Sequence, residues 1–185
     1  MKKEIIGIVG TIASGKDKAG DYISEKLNIP SFQISSPLKQ ICEQNGIEPT
    51  RDNLIKLGTK LASERGDGYL AEYILGQIET AGVITGMRQL GQIALLKSKA
   101  NLTIVSIDAD PSIRFERARG NGKIGEAQSI EEFVAREAAE NSPPNVQRLF
   151  QVIQLADFHI DNNASIEELY AKIDALGLSI SDFNS

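Results

Sequence analysis

Most of the chemistry legible in this chain lies in one short stretch. Gly10-Thr11-Ile12-Ala13-Ser14-Gly15-Lys16-Asp17 follows an apolar run, Ile5 to Val9, and precedes a segment with helical periodicity, Lys16 to Leu27. Glycines in such a loop let successive backbone N–H groups converge on one anion. A helix starting near Lys16 aims the positive end of its dipole at the same point. Lys16 adds a point charge for the outer phosphates. Strand, loop and helix in this order are the context a phosphate-binding loop requires. Gly10, Ala13, Ser14, Gly15, Lys16, Asp17 and Lys18 are therefore the candidate nucleotide contacts. A Gly-rich turn with a surface lysine is the plain alternative. The eighth position departs from the usual pattern, because Asp17 stands where Ser or Thr normally offers a hydroxyl to Mg²⁺. A carboxylate can hold Mg²⁺ directly or through water. Asp17 is thus the candidate metal ligand, and it also places negative charge beside the phosphates.

A second set of candidates is basic. Arg114 and Arg117 lie three apart on a predicted helix, Pro111 to Arg119, and so share a face. Gly120 to Gln128 is polar and Gly-rich and reads as a mobile loop containing Lys123. Arg119 precedes that loop, and Arg136 lies on the helix that returns from it. Glu116 with Arg119, and Glu132 with Arg136, also fit ordinary surface ion pairs worth only ~0.3–0.5 kcal/mol each. Arg114 reads as a surface or structural arginine. His159, the only histidine, has no His, Cys or clustered acid around it in the sequence and is a poor metal or base candidate. Cys42, on a predicted helix with Ile41 and Ile47 nearby, reads as a small buried residue.

The elements that must position these residues alternate. Strands are expected at Ile5–Val9, Ser31–Ile34, Gly82–Thr85, Leu102–Ile107 and Asp157–Ile160. Helices fall between them, with Ser36-Pro37, Thr50, Asp110-Pro111, Ser129 and Ser165 as N-terminal signals. This alternation predicts an α/β fold: a five-stranded parallel sheet between two helical layers. The chain of 185 residues suits a single domain, 1–185, with an insertion over about 118–144. A net charge of −5 argues against a broad surface for a nucleic-acid polymer, while leaving room for a local basic cleft. No apolar run approaches the ~20 residues of a membrane span. A single cysteine cannot form an internal disulfide, so a reducing, cytoplasmic setting is expected.

With these residues in order, the chain resembles the P-loop nucleotide kinases of the nucleoside monophosphate kinase superfamily. The Gly15-Lys16-Asp17 triplet resembles the loop of deoxynucleoside monophosphate kinases. Ser35-Ser36-Pro37-Leu38-Lys39, Leu57-Gly58-Thr59 to Glu64-Arg65, and Val83 to Arg88 resemble their acceptor-side segments. Ser106 to Arg117 and Ala156 to Asn162 resemble the later half of archaeal kinases related to dephospho-CoA kinase and adenylate kinase.

The resemblance implies a P-loop NTPase fold with a helical acceptor region over about 35–81 and a lid over about 118–144. It implies ATP, or GTP in its place, as donor and Mg²⁺ as cofactor. The acceptor is then a small nucleotide, a (deoxy)nucleoside monophosphate first and dephospho-CoA as the alternative. Lys16, Arg117, Arg119 and Arg136 become catalytic candidates closing on the transferred phosphoryl group. Lys39, Arg51, Arg65 and Arg88 become acceptor-phosphate contacts. Asn162 falls in the loop that meets the donor base. A monomer or homodimer, away from membranes, is expected. One feature departs from the pattern. Thr85, Gly86 and Gln92 stand where such kinases carry acids, leaving Asp17, Asp108 or Asp110 as substitutes, with Asp110 better explained as a helix cap. That departure motivates a reading from another class, a nucleotide-binding sensor or partner module with impaired catalysis. An ATPase with a macromolecular partner is a third, less supported by so short a chain.

Overall fold

The computed structural model describes residues 2–122, 127–143 and 147–180. Lys123, Pro144 and the tail from residue 181 lie outside the described residues. The order is β1 Lys3–Val9, α1 Lys16–Leu27, β2 Ser31–Gln33, α2 Ser36–Gln44, α3 Arg51–Arg65, α4 Tyr69–Gln77, β3 Ala81–Thr85 and α5 Leu90–Lys99. It continues with β4 Ala100–Asp108, α6 Pro111–Gly120, α7 Ile130–Glu140, α8 Leu149–Ile153, β5 Phe158–Asp161 and α9 Ile166–Ala175. The five strands are all parallel and run in the order β2-β3-β1-β4-β5.

The run Ile5 to Val9 needs both faces covered, and its position at the centre of the sheet supplies that. Ile5 and Val9 face one side, with Ile84 and Ile104, under α2, α4, α5 and α8. Ile6 and Ile8 face the other, with Val83, Val105 and Ile107, under α1 and α9. The chain moves to one side of β1 for β2 and β3 and to the other for β4 and β5. The loop leaving the C-terminal end of β1 therefore opens into the crevice at the switch point of the sheet. A third, smaller cluster of Ile12, Phe115, Ala118, Ala127 and Phe133 joins α6 and α7 to that loop.

Several boundaries differ from expectation for local reasons. The N-cap of α2 is Ser35, with Ser36 and Pro37 inside the first turn. Asp110 occupies the N-cap of α6 but its side chain makes no capping bond. Thr50, Ser129 and Ser165 do cap, each hydroxyl accepting a backbone N–H of the first turn. Helix α8 has five residues and no sequence signature, since a run that short cannot display a helical period.

Candidate active site

The loop after β1 makes its turn through two left-handed residues, Ala13 at φ 58° and Gly15 at φ 99°. Gly15 is also the N-cap of α1. A Cβ there would lie 2.3 Å from the Asn162 amide nitrogen, so glycine is required by both conformation and space. That amide nitrogen donates to the Ser14 carbonyl at 2.8 Å, which ties the loop to the turn after β5. The Ser14 hydroxyl is fully buried with no hydrogen-bond partner among the described residues. Lys16 has only 12% of its side chain exposed, and its Nζ lies 3.4 Å from the Asp17 carboxylate.

Two cavities flank this pair. The first cavity, about 500 Å³, is walled by Ala13, Gly15, Lys18, Arg117, Asn121 and Asn162. Arg117 donates to the Asn162 and Ala164 carbonyls at 2.9 and 3.2 Å, so its guanidinium holds the turn that forms one wall. The second cavity, about 250 Å³, lies between β3, α2 and α3 and contains Lys39, Arg51 and Arg88. Gln33, Gln89, Gln92 and Gln147 supply amides to it, while Ile34, Leu38, Leu54 and Leu70 supply an apolar wall. Lys16 and Asp17 line both cavities. Among the described residues around the second cavity, four are cationic and only Asp17 is a carboxylate.

Arg88 defines the charge of that cavity. Its guanidinium donates to Gln147 at 3.2 Å. Burial holds its pKa below the ordinary arginine value, and the nearby Arg51 charge lowers it further; Glu140, Glu137 and Asp17 act in the opposite sense. An arginine stays protonated regardless. Its shift reflects mainly the loss of hydration that burial imposes. Arg51 is held by Glu140, its Nε and Nη2 each donating to a carboxylate oxygen at 2.5 Å.

The remaining candidates lie elsewhere. Arg65 ends α3 with its guanidinium over the Tyr69 ring, 4.9 Å from the centroid, and borders neither cavity. Arg119 is 63% exposed and pairs with Glu116 at 2.6 Å. Arg136 donates to Asp52 at 2.7 Å and lies 3.7 Å from Glu140, so it ties α7 to α3 instead of lining a cavity. Arg114 is buried and bonded to Glu137, a structural arginine. The positions that depart from the acidic pattern have local roles. Gln92 caps α5 by accepting the Arg88 and Gln89 N–H groups. The Thr85 hydroxyl is buried without a partner among the described residues. Asp108 accepts from the Thr11 hydroxyl and the Ala109 N–H. Sequence reasoning missed Glu137 and Glu140, both buried on α7. The structure places Phe133, Glu137 and Glu140 together on the inward face of that helix.

The Mg²⁺ that such a loop implies fits these residues in a limited way. Mg²⁺ commonly takes one or two carboxylates and completes its shell with phosphates and water. Asp17 supplies one carboxylate between the two cavities, and no group of three or more His, Cys, Asp or Glu suited to a metal exists among the described residues. No helix among them is long and apolar enough to cross a membrane.

A buried phosphate-type loop at the switch point of a five-stranded parallel sheet, with a cavity on either side of its lysine, is the architecture of a P-loop kinase fold. Solved structures agree. The shikimate kinase of Acinetobacter baumannii in complex with shikimate superposes with a TM-score of 0.59 at 15% identity, covering 94% of this chain and 92% of that one. A putative kinase from Chloroflexus aurantiacus gives 0.62 at 10% identity, covering 98% and 100%. A gluconokinase from Sinorhizobium meliloti gives 0.53 at 17% identity, covering 94% and 90%. The chain belongs to the UPF0200 family: it is 31% identical over 172 residues to a UPF0200 protein of Hyperthermus butylicus, covering 91% of this chain and 90% of the relative. A UPF0200 protein of Methanoculleus marisnigri is 29% identical over 178 residues, covering 94% of each. No family model matches the chain.

Proposed function

We propose that this protein is an ATP- and Mg²⁺-dependent kinase that transfers the γ-phosphoryl group to a small anionic acceptor. A (deoxy)nucleoside monophosphate is the first choice and dephospho-CoA the runner-up. The observation that carries this reading is the junction of two cavities at Lys16 and Asp17, one of them lined by Lys16, Lys39, Arg51 and Arg88 against a single carboxylate. A net-acidic chain that concentrates cations in one cleft is built for an anion there. The apolar wall opposite suits a base or another flat group.

In this reading the N–H groups of Ala13 through Asp17 cradle the donor phosphates, and Lys16 neutralises their outer oxygens. Arg51 and Arg88 orient the acceptor anion by charge-assisted hydrogen bonds. Arg117 and Asn162 shape the donor-base side. Bound Mg²⁺ would draw charge from the β and γ phosphates, with Asp17 as the protein carboxylate nearest to it. Phosphoryl transfer relies mainly on positioning and electrostatics, so a cleft with one carboxylate is compatible with turnover. The same scarcity of acids supports the second reading, a nucleotide-binding module without catalysis. An acceptor screen separates them: labelled ATP or GTP with Mg²⁺, each NMP, each dNMP and dephospho-CoA, with Lys16→Ala as control. Transfer to one acceptor, abolished by Lys16→Ala, is expected. Nucleotide binding with no transfer to any of them favours the binding module.

A further inference from the structure

The phosphate loop is gripped from outside at successive residues. The Thr11 hydroxyl donates to Asp108, the Ile12 N–H donates to Glu137 at 3.0 Å, and the Ser14 carbonyl accepts from Asn162 at 2.8 Å. Between the last two anchors sits Ala13 at φ 58°. A non-glycine residue holds that left-handed conformation only where its surroundings impose it. The side chain of Ile12 is fixed as well, packed with Phe115 and Phe133 of α6 and α7.

Glu137 is 3% exposed, and both of its oxygens are used. One takes the Ile12 N–H and the other takes Arg114 Nη1 at 3.0 Å. Arg114 is itself committed to the Ala109 carbonyl at 3.0 Å and the Ile12 carbonyl at 3.4 Å. An Ile12 N–H that points at Glu137 is not available to a phosphate, so the cradle begins at Ala13.

We propose that Glu137 is a positioning residue of the phosphate loop. It holds Ile12 so that Ala13 stays left-handed and the N–H groups from Ala13 to Asp17 converge on the anion. This rests on the reading of the loop as a nucleotide site. The competing role is purely structural, an ion pair with Arg114 that joins α6 to α7.

Two substitutions separate the roles. Glu137→Gln and Glu137→Leu both remove the ion pair with Arg114, but only glutamine keeps an oxygen for the Ile12 N–H. The readout is affinity for ADP with Mg²⁺ by titration calorimetry, at a temperature where each variant is folded. Glu137→Leu is expected to bind about tenfold or more weakly, and Glu137→Gln within about twofold of wild type, the scale of losing or keeping one buried hydrogen bond. Equal losses in both variants, or none in Glu137→Leu, overturn the proposal. If neither variant folds, amide hydrogen exchange on the nucleotide-free wild type decides. The Ile12 amide is expected to be strongly protected, and exchange as fast as an exposed loop amide overturns the proposal. Lys16→Ala measured alongside keeps the underlying reading separate, because undiminished ADP binding by that variant rejects the nucleotide site itself, whatever Ile12 does.

Discussion

The contact between Gly15 and Asn162 can be tested by a double-mutant cycle whose size follows from the structure. Gly15→Ala places a methyl group 2.3 Å from the Asn162 amide nitrogen and 3.7 Å from Leu169. It also asks alanine to hold φ 99°. The left-handed conformation costs a non-glycine residue about 1–2 kcal/mol. Pushing the Asn162 amide off the Ser14 carbonyl, a buried bond, costs about 1–3 kcal/mol more. The sum is about 2–5 kcal/mol, and a domain of this size loses roughly 2–4 °C of Tm per kcal/mol. A fall on the order of 10 °C is therefore expected by calorimetry or circular dichroism. Asn162→Ala removes both the clash partner and the bond. In that background Gly15→Ala should cost only the conformational part, about 1–2 kcal/mol. The coupling between the two substitutions is then about 1–3 kcal/mol, well above the ~0.5 kcal/mol within which independent sites add. Additive effects would refute the claim that the loop and the turn after β5 are locked through this contact. A Gly15→Ala protein as stable as wild type would refute the strained geometry altogether.

Two further perturbations probe the cleft. Thr85→Val keeps the shape of a buried side chain while deleting a hydroxyl that has no partner among the described residues; its unfolding free energy should match or exceed that of wild type, and a loss beyond about 1 kcal/mol would show that the hydroxyl is bonded after all. Asp17→Ser removes a carboxylate from beside the phosphate site; nucleotide affinity measured in EDTA should rise about tenfold while the gain from added Mg²⁺ shrinks, as expected for deleting one repulsive charge near the surface, and an unchanged Mg²⁺ dependence would remove Asp17 from the metal's shell.

What the sequence disclosed and what it hid divide along physical lines. The phosphate loop, the alternation of strands and helices, and the caps Thr50, Ser129 and Ser165 are local patterns, and each was readable where it stood. The order β2-β3-β1-β4-β5 was not, because alternation fixes a parallel sheet without fixing which strands are neighbours. Arg51 and Arg88, expected from their segments to bind an anion, both line the second cavity. Arg65 and Arg119 carry the same charge, yet one stacks on Tyr69 and the other pairs with Glu116 at the surface. Nothing in residue type separates these pairs; only the path of α3 and α6 through the fold does. Glu137 and Glu140 were hidden for a related reason. Their partners Ile12 and Arg51 lie 125 and 89 residues away, and a glutamate-rich helix reads as a solvated surface until its inner face is known.

The placement of these two glutamates bears on the acids missing at Thr85, Gly86 and Gln92. Two carboxylates near the cleft, Glu137 and Glu140, are buried on α7, and a third, Asp108, is half exposed. Glu140 neutralises Arg51, while Glu137 with Arg114, and Asp108 with Thr11, hold the phosphate loop. Acids inside the cleft would compete with an incoming anion for Arg51 and Arg88. Acids behind it stabilise the same cations before the anion arrives while leaving the cavity surface positive. Under the proposed kinase reading, such a layout would replace a base beside the acceptor with a cationic cradle, which a reaction governed by positioning and charge tolerates.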